Sequence, residues 1–337
     1  MKGFLHLSDF APGEVKDLLE LATRLERHPE PEALKGKILA LLFFNPSLRT
    51  LASFQAGMSR LGGDSFVISP GQGTWILETR DGVVMDGAAA EHVREAIPVL
   101  ASYADALGIR SFAGGTDLVA DLADSTFHQM AEVCPRPVIN MESAVDHPCQ
   151  ALGDWKTMDD LGIPATGGKF VLSWAWHPKP LPLAVPAAAV HMAALRGMEV
   201  TVLRPEGFAL PEPVMEGARR AATLSGGSVR ETAERGEALE GAHVIYAKSW
   251  TSPVHYGNAE AEAAFRAGLR EWCVDEDWFA GAAPDCRFMH CLPVRRNVVV
   301  KDAVLDGPRS VVVREAENRM WAQMAVLYRL LRGSGGN

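Results

Sequence analysis

Eight short, nearly unbroken apolar runs recur along the chain, at 38–44, 65–68, 106–112, 137–141, 169–176, Glu199–Leu203, 243–249 and 287–292, with helix-patterned segments between them. A strand that is apolar on both faces has to be covered on both faces. A parallel sheet sandwiched between helices does this. The expected class is therefore α/β. A length of 337 residues exceeds what one ordinary core fills, so two domains are expected, each a largely parallel sheet with helices on both faces.

Asp146 precedes a helical pattern over 147–162 that ends at Gly162-Ile163-Pro164, a stop signal, which puts the domain boundary near 145–165. Over 316–331, Met320, Trp321, Met324, Tyr328 and Leu331 fall on one stripe of a packing helix. The tail 333–337 reads as frayed. A net charge of −9 offers no basic excess to displace counterions from a nucleic-acid backbone, though a local basic pocket for a small anion stays open. Five cysteines, with no C-x-x-C spacing, fit a reducing cytoplasm and no structural zinc. No secretory leader and no membrane-length apolar run is visible. Gly71-Gln72-Gly73 lacks the third glycine of a dinucleotide fingerprint. The segment 162–169 has its lysine one place late for a P-loop, with Phe170 where the hydroxyl belongs.

Four places carry polar groups at strand ends. In Ser47-Leu48-Arg49-Thr50, two hydroxyls and a guanidinium stand at a helix start, which suits a phosphate; the same residues also fit a plain Ser47 cap with a solvent-facing arginine. Glu142, His147 and Gln150 cluster after the run 137–141, where α/β sheets bind ligands. Cys291-Leu292-Pro293 follows the last run. A cis X-Pro bond there would turn carbonyls into a cleft, and Cys291 alone reads most simply as a small buried hydrophobe. Lys179 and Lys248 sit at strand ends, where each suits an acidic substrate or a solvated loop equally. Trp75, in a Gly-rich loop, reads as a lid or interface anchor.

Taken in order, Ser47-Leu48-Arg49-Thr50, Arg110 in GIRSF, His147-Pro148-Cys149-Gln150, His290-Cys291-Leu292-Pro293 and Glu317-Asn318-Arg319 resemble the motif set of the transcarbamylase (aspartate/ornithine carbamoyltransferase) family, over nearly the whole chain. The Ser-Met-Gly loop of classical ornithine transcarbamylases is absent. VMDG, VINMES, WAWHPKPL and YAKSW look like the branch that carbamoylates an N-acylated ornithine. The resemblance implies a carbamoyl phosphate domain over 1–146, completed by a C-terminal helix 316–332, and an N-acylornithine domain over 147–315. It also implies a cytoplasmic homotrimer with shared sites and neither metal nor organic cofactor. By the same resemblance Ser47, the Leu48 backbone, Arg49, Thr50 and Arg110 hold phosphate. His147, Gln150 and Arg110 or Thr50 polarise the carbamoyl group, and Arg319 supports them. Trp75 reaches a neighbouring subunit's site. Glu142, Lys179 and Lys248 meet the amino-acid end, with the acyl end near Trp75 and Arg295. The Cys291 and Leu292 carbonyls orient the attacking amine, so Cys291 need not be a nucleophile.

The acyl-selecting place in this branch follows MDG. N-acetylornithine enzymes resemble MDG-x-x-E-E-H, whereas this chain has Met85-Asp86-Gly87-Ala88-Ala89-Ala90-Glu91-His92. Ala90 removes a like charge that would repel a second carboxylate, which points to N-succinyl-L-ornithine as substrate in arginine biosynthesis. N-acetylornithine, free ornithine or another amine, and a non-catalytic paralogue are the alternatives. Two departures stand out. Leu51 replaces an arginine common in the family and should face away from the phosphate. Val299 stands near where some members carry a lysine.

Overall fold

The computed structural model describes residues 3–332; the tail 333–337 lies outside the described residues. The N-terminal half carries α1 (Pro12–Arg27), β1 (Ile38–Phe43), α2 (Leu48–Arg60), β2 (Asp64–Ile68), the two-residue strands β3 (Leu77–Glu78) and β4 (Glu91–His92), α3 (Val93–Ser102), β5 (Ala106–Arg110), α4 (Leu118–Ala123), α5 (Ser125–Glu132) and β6 (Val138–Glu142). Helix α6 (Pro148–Asp160) leads on to β7 (Lys169–Trp174), α7 (Ala184–Leu195), β8 (Glu199–Leu203), α8 (Glu212–Ser225), β9 (Ser228–Thr232), α9 (Arg235–Leu239), β10 (Val244–Lys248), α10 (Ala259–Ala267), β11 (Arg287–Met289), α11 (Asp302–Leu305) and α12 (Val312–Leu331).

Two parallel sheets result, in the orders β2-β1-β5-β6 and β11-β10-β7-β8-β9. All eight expected strands are present. Strand β1 shows why an unbroken apolar run was needed. Leu39, Leu41 and Phe43 enter the larger core, while Ala40 and Leu42 enter a smaller one with Val93, Ile97, Leu107 and Ile109. Strand β9 was not expected. It is an edge strand, Ser-Val-Arg-Glu-Thr, with no fully buried residue, so it shows no continuous apolar run. The run 287–292 pairs only to Met289, because Leu292 takes a left-handed φ of 55° and the chain leaves the sheet. The Leu292–Pro293 bond is cis.

Each sheet has one place where successive connections diverge: between β1 and β5 in the first, and between β7 and β10 in the second. Ligands of open α/β sheets bind outside the carboxyl ends of the strands at such switch points. The helix expected over 316–332 spans Val312–Leu331 and packs on α1, α2 and α6, so it ties the N-terminal helices to the segment joining the sheets. Gly153 on α6 permits this close approach: a Cβ there would stand 2.8 Å from Arg319 Cγ and 3.0 Å from Arg319 N. Among the described residues, no helix is long and apolar enough to cross a membrane.

Candidate active site

At the first switch point, β1 ends at Phe43 and Asn45 holds the turn by accepting from Phe112 N at 2.8 Å. Ser47 then caps α2, its hydroxyl accepting from Thr50 N at 3.3 Å. Capping and anion binding thus draw on the same helix end, where free N–H groups and the dipole are both positive. Leu48 is exposed, Arg49 is partly buried and Thr50 is fully buried. Leu51 is partly buried and packs against the larger core.

Arg110, the last residue of β5, lies opposite Phe43 in the sheet register. Its guanidinium sits 4.5 Å from the centre of the Phe112 ring and donates through Nη1 to Glu142 Oε2 and, at 3.4 Å, to the Met141 carbonyl. Glu142 closes β6 where the β5–β6 register shifts, and its backbone has φ 149°. Arg319, fully sequestered on α12, donates to Thr50 Oγ1 at 2.7 Å. Arg49, Arg110 and Arg319 each keep a buried Nε with no protein partner. Burial lowers the Arg49 and Arg319 pKa values, and mutual repulsion with Arg110 lowers them further. Concentrating three guanidiniums in a largely buried region where Glu142 is the carboxylate paired with Arg110 is unfavourable, and a bound anion would offset the cost. The geometry suits a multiply charged phosphate.

His147 caps α6 by position only; its side chain makes no cap hydrogen bond. Nε2 lies 3.5 Å from Glu142 Oε2, and Nδ1 is buried without a partner. Burial, then the positive charges of Arg319, Arg110, Lys248 and Arg49, hold its pKa well below the usual histidine value. The ring is therefore neutral at neutral pH and can donate a hydrogen bond without bringing a charge. Gln150 lies one turn into α6 and presents an unpartnered Oε1.

From the second switch point, β10 delivers Lys248, buried, to the same region; its charge depresses the pKa of both His147 and His290, after burial. Beyond β11, Cys291 is buried and Leu292 partly buried. Arg295 is exposed, and its Nε lies 3.1 Å from His177 Nε2. His177 is one residue that sequence reasoning passed over, although it stood in the quoted WAWHPKP segment. Asp154 and Glu315 are the others; an i,i+4 spacing from Gln150 and to Arg319 was their only signal. Three candidates stay apart from the cluster. Lys179 is exposed in its loop. Trp75 is 60% exposed and donates to Glu91 Oε2 at 2.8 Å. Ala90 is exposed on the same excursion, its N–H bonded to the Ile76 carbonyl at 3.1 Å. Val299 is buried.

This geometry agrees with what the chain is similar to. Residues 2–160 match the model of the aspartate/ornithine carbamoyltransferase carbamoyl-P binding domain, and residues 185–330 that of the Asp/Orn binding domain. An N-acetylornithine carbamoyltransferase of Xanthomonas campestris pv. campestris is 40% identical over 334 residues, covering 98% of both chains. An N-succinylornithine carbamoyltransferase of Bacteroides thetaiotaomicron is 36% identical over 337 residues, covering 99% of both. Among solved structures, acetylornithine transcarbamylase complexed with acetylcitrulline superposes with a TM-score of 0.94 at 40% identity, covering 98% of this chain and 99% of that one. The chain belongs to the aspartate/ornithine carbamoyltransferase family, in its N-acylornithine branch, and is a carbamoyltransferase.

Proposed function

We propose that this enzyme transfers the carbamoyl group of carbamoyl phosphate to the δ-amine of N-succinyl-L-ornithine, giving N-succinyl-L-citrulline and phosphate for arginine biosynthesis in the cytoplasm. The observation that carries the transfer reading is the trio of buried or half-buried guanidiniums with unpartnered Nε atoms around the α2 terminus. In this reading Ser47, the Leu48 backbone, Arg49, Thr50, Arg110 and Arg319 take the phosphate of a carbamoyl phosphate domain formed by 1–146 and helix α12. Neutral His147, with Arg110 and Thr50, donates to the carbamoyl oxygen as negative charge grows there. Gln150 Oε1 accepts from the carbamoyl amino group. The neutral δ-amine attacks the carbamoyl carbon, the C–O bond to phosphate breaks, and the amine's proton leaves with the departing phosphate or solvent. Glu142, Lys179, Lys248 and Arg295 meet the N-acylornithine, which the domain 147–315 supplies, and the Cys291 and Leu292 carbonyls orient the amine. Much of the rate comes from holding the two substrates in line.

The succinyl choice rests on Ala90, which puts no negative charge where the resemblance puts a glutamate. It is supported by solved variants of the acetylornithine relative in which one glutamate is replaced by Ala, Pro, Ser or Val and which hold carbamyl phosphate and N-succinyl-L-norvaline. N-acetylornithine is the second reading, favoured by the 40% identity to an acetylornithine enzyme against 36% to a succinylornithine one. The enzyme is further proposed to be a homotrimer with shared sites. Trp75, Ile76 and Val84 expose 60%, 49% and 82% of their surfaces on the excursion that carries Ala90, an apolar patch of the kind a subunit contact covers. Citrulline formation from carbamoyl phosphate and each of N-succinylornithine, N-acetylornithine and ornithine tests the substrate assignment.

A further inference from the structure

Behind Gln150 stand two carboxyl groups that face no substrate. Asp154 follows Gln150 by one turn on α6, and Glu315 faces it from α12; both are fully buried. Gln150 Nε2 donates to Asp154 Oδ1 at 2.7 Å and to Glu315 Oε1 at 3.1 Å. The other Glu315 oxygen accepts from His290 N at 2.9 Å, and His290 Nδ1 accepts from Leu292 N at 2.9 Å. A primary amide nitrogen has two hydrogens. Both are taken by the carboxyl pair, so Gln150 Oε1 is left on the far side, buried and without a protein partner.

We propose that Asp154 and Glu315 are a pair of positioning residues: together they lock the Gln150 amide with its oxygen toward the carbamoyl amino group, and they pin the backbone of 290–292 to helices α6 and α12. The proposal rests on the carbamoyl phosphate reading of the site. It accounts for a burial that is otherwise costly, since two adjacent carboxylates cannot both ionise cheaply in a dry interior. The two carboxyls are neighbours, since Asp154 Oδ1 and Glu315 Oε1 accept from the same Gln150 nitrogen, and Asp154 Oδ2 is buried with no partner. Facing them are Tyr246 from β10, Cys291 and the His290 backbone from beyond β11, Gln150 from α6, Arg319 from α12 and Arg49 from α2. Burial pushes Asp154 up to about 7 and Glu315 well above the carboxylate range. A shared proton is therefore retained at neutral pH and given up as pH rises through the raised values. Once it is lost, repulsion between the carboxylates releases Gln150.

The substitution Asp154→Asn imitates the protonated arrangement, because its Oδ1 can still accept from Gln150 while its Nδ2 donates to Glu315. Asp154→Ala removes the acceptor. Titration calorimetry with carbamoyl phosphate, from about pH 6 to about pH 9, compares wild type with both variants. Asp154→Ala is expected to bind at least about tenfold more weakly. Asp154→Asn should stay within about threefold of wild type at neutral pH and hold its affinity at alkaline pH, where wild type weakens. Equal affinity of Asp154→Ala and wild type, or an Asp154→Asn variant as weak as Asp154→Ala, overturns the proposal. If Asp154→Ala does not fold, the wild-type and Asp154→Asn pH profiles decide, and identical profiles overturn it. A wild-type protein that binds no carbamoyl phosphate at any pH overturns the site reading itself and the proposal with it.

Discussion

At the scale of single residues, the proposed succinyl selectivity rests on charge. Ala90 offers no carboxylate, so on that proposal a succinyl group would enter beside it without meeting a like charge there. Ala90→Glu should lower kcat/KM for N-succinylornithine by about tenfold or more relative to that for N-acetylornithine, a discrimination that a unit charge in a closed site supplies readily. An unchanged ratio in parallel steady-state assays would remove Ala90 from the selectivity account. Arg49 at a helix start and His147 after a strand end were legible as candidates by position, although Arg49 fitted a plain cap with a solvent-facing arginine as well. Arg110 and Arg319, the latter in the middle of α12, were legible only through the family's motif set. Asp154 and Glu315 were legible by neither route. A lone acidic residue on a helix reads as solvated surface, and only the packing of α12 onto α6 buries this pair and brings it behind Gln150.

At the scale of elements, the close approach of α12 to α6 sets where Arg319 and Glu315 point. Gly153→Ala would place a Cβ within 2.8 Å of Arg319 Cγ and 3.0 Å of its backbone nitrogen. The helices have to separate, at a cost of about 1–3 kcal/mol, read as a lower denaturation midpoint at unchanged slope, and carbamoyl phosphate should bind more weakly because Arg319 moves off Thr50. Wild-type stability together with wild-type affinity would show that the contact yields without consequence. Continuous apolar strands were readable because both faces of a parallel sheet are covered. The edge strand β9 and the two-residue strands β3 and β4 were not, since they bury too little side chain to impose a pattern.

At the scale of the whole molecule, groups from both switch points act on His147: the first brings Arg49 and Arg110, the second Lys248, and α12, packed on α6, adds Arg319. Trp75 and Ala90 stand outside this group within one chain, which is the geometry expected if a neighbouring copy completes each site. Trp75→Ala and Arg110→Ala enzymes should then each be impaired, and mixing them through reversible dissociation should restore part of the activity in sites that combine an intact Trp75 with an intact Arg110. No recovery, from a mixture shown by sedimentation to exchange subunits, would contradict shared sites. No single chain reveals such a partnership in its sequence pattern, because an exposed tryptophan looks alike at a lid and at an interface.

The most direct test of the central claim is product formation by the purified enzyme with carbamoyl phosphate and each of three amines. The account predicts that N-succinylornithine gives the highest kcat/KM, that N-acetylornithine follows, and that free ornithine gives little citrulline. Efficient carbamoylation of free ornithine, or no product from either acylated amine, would contradict it.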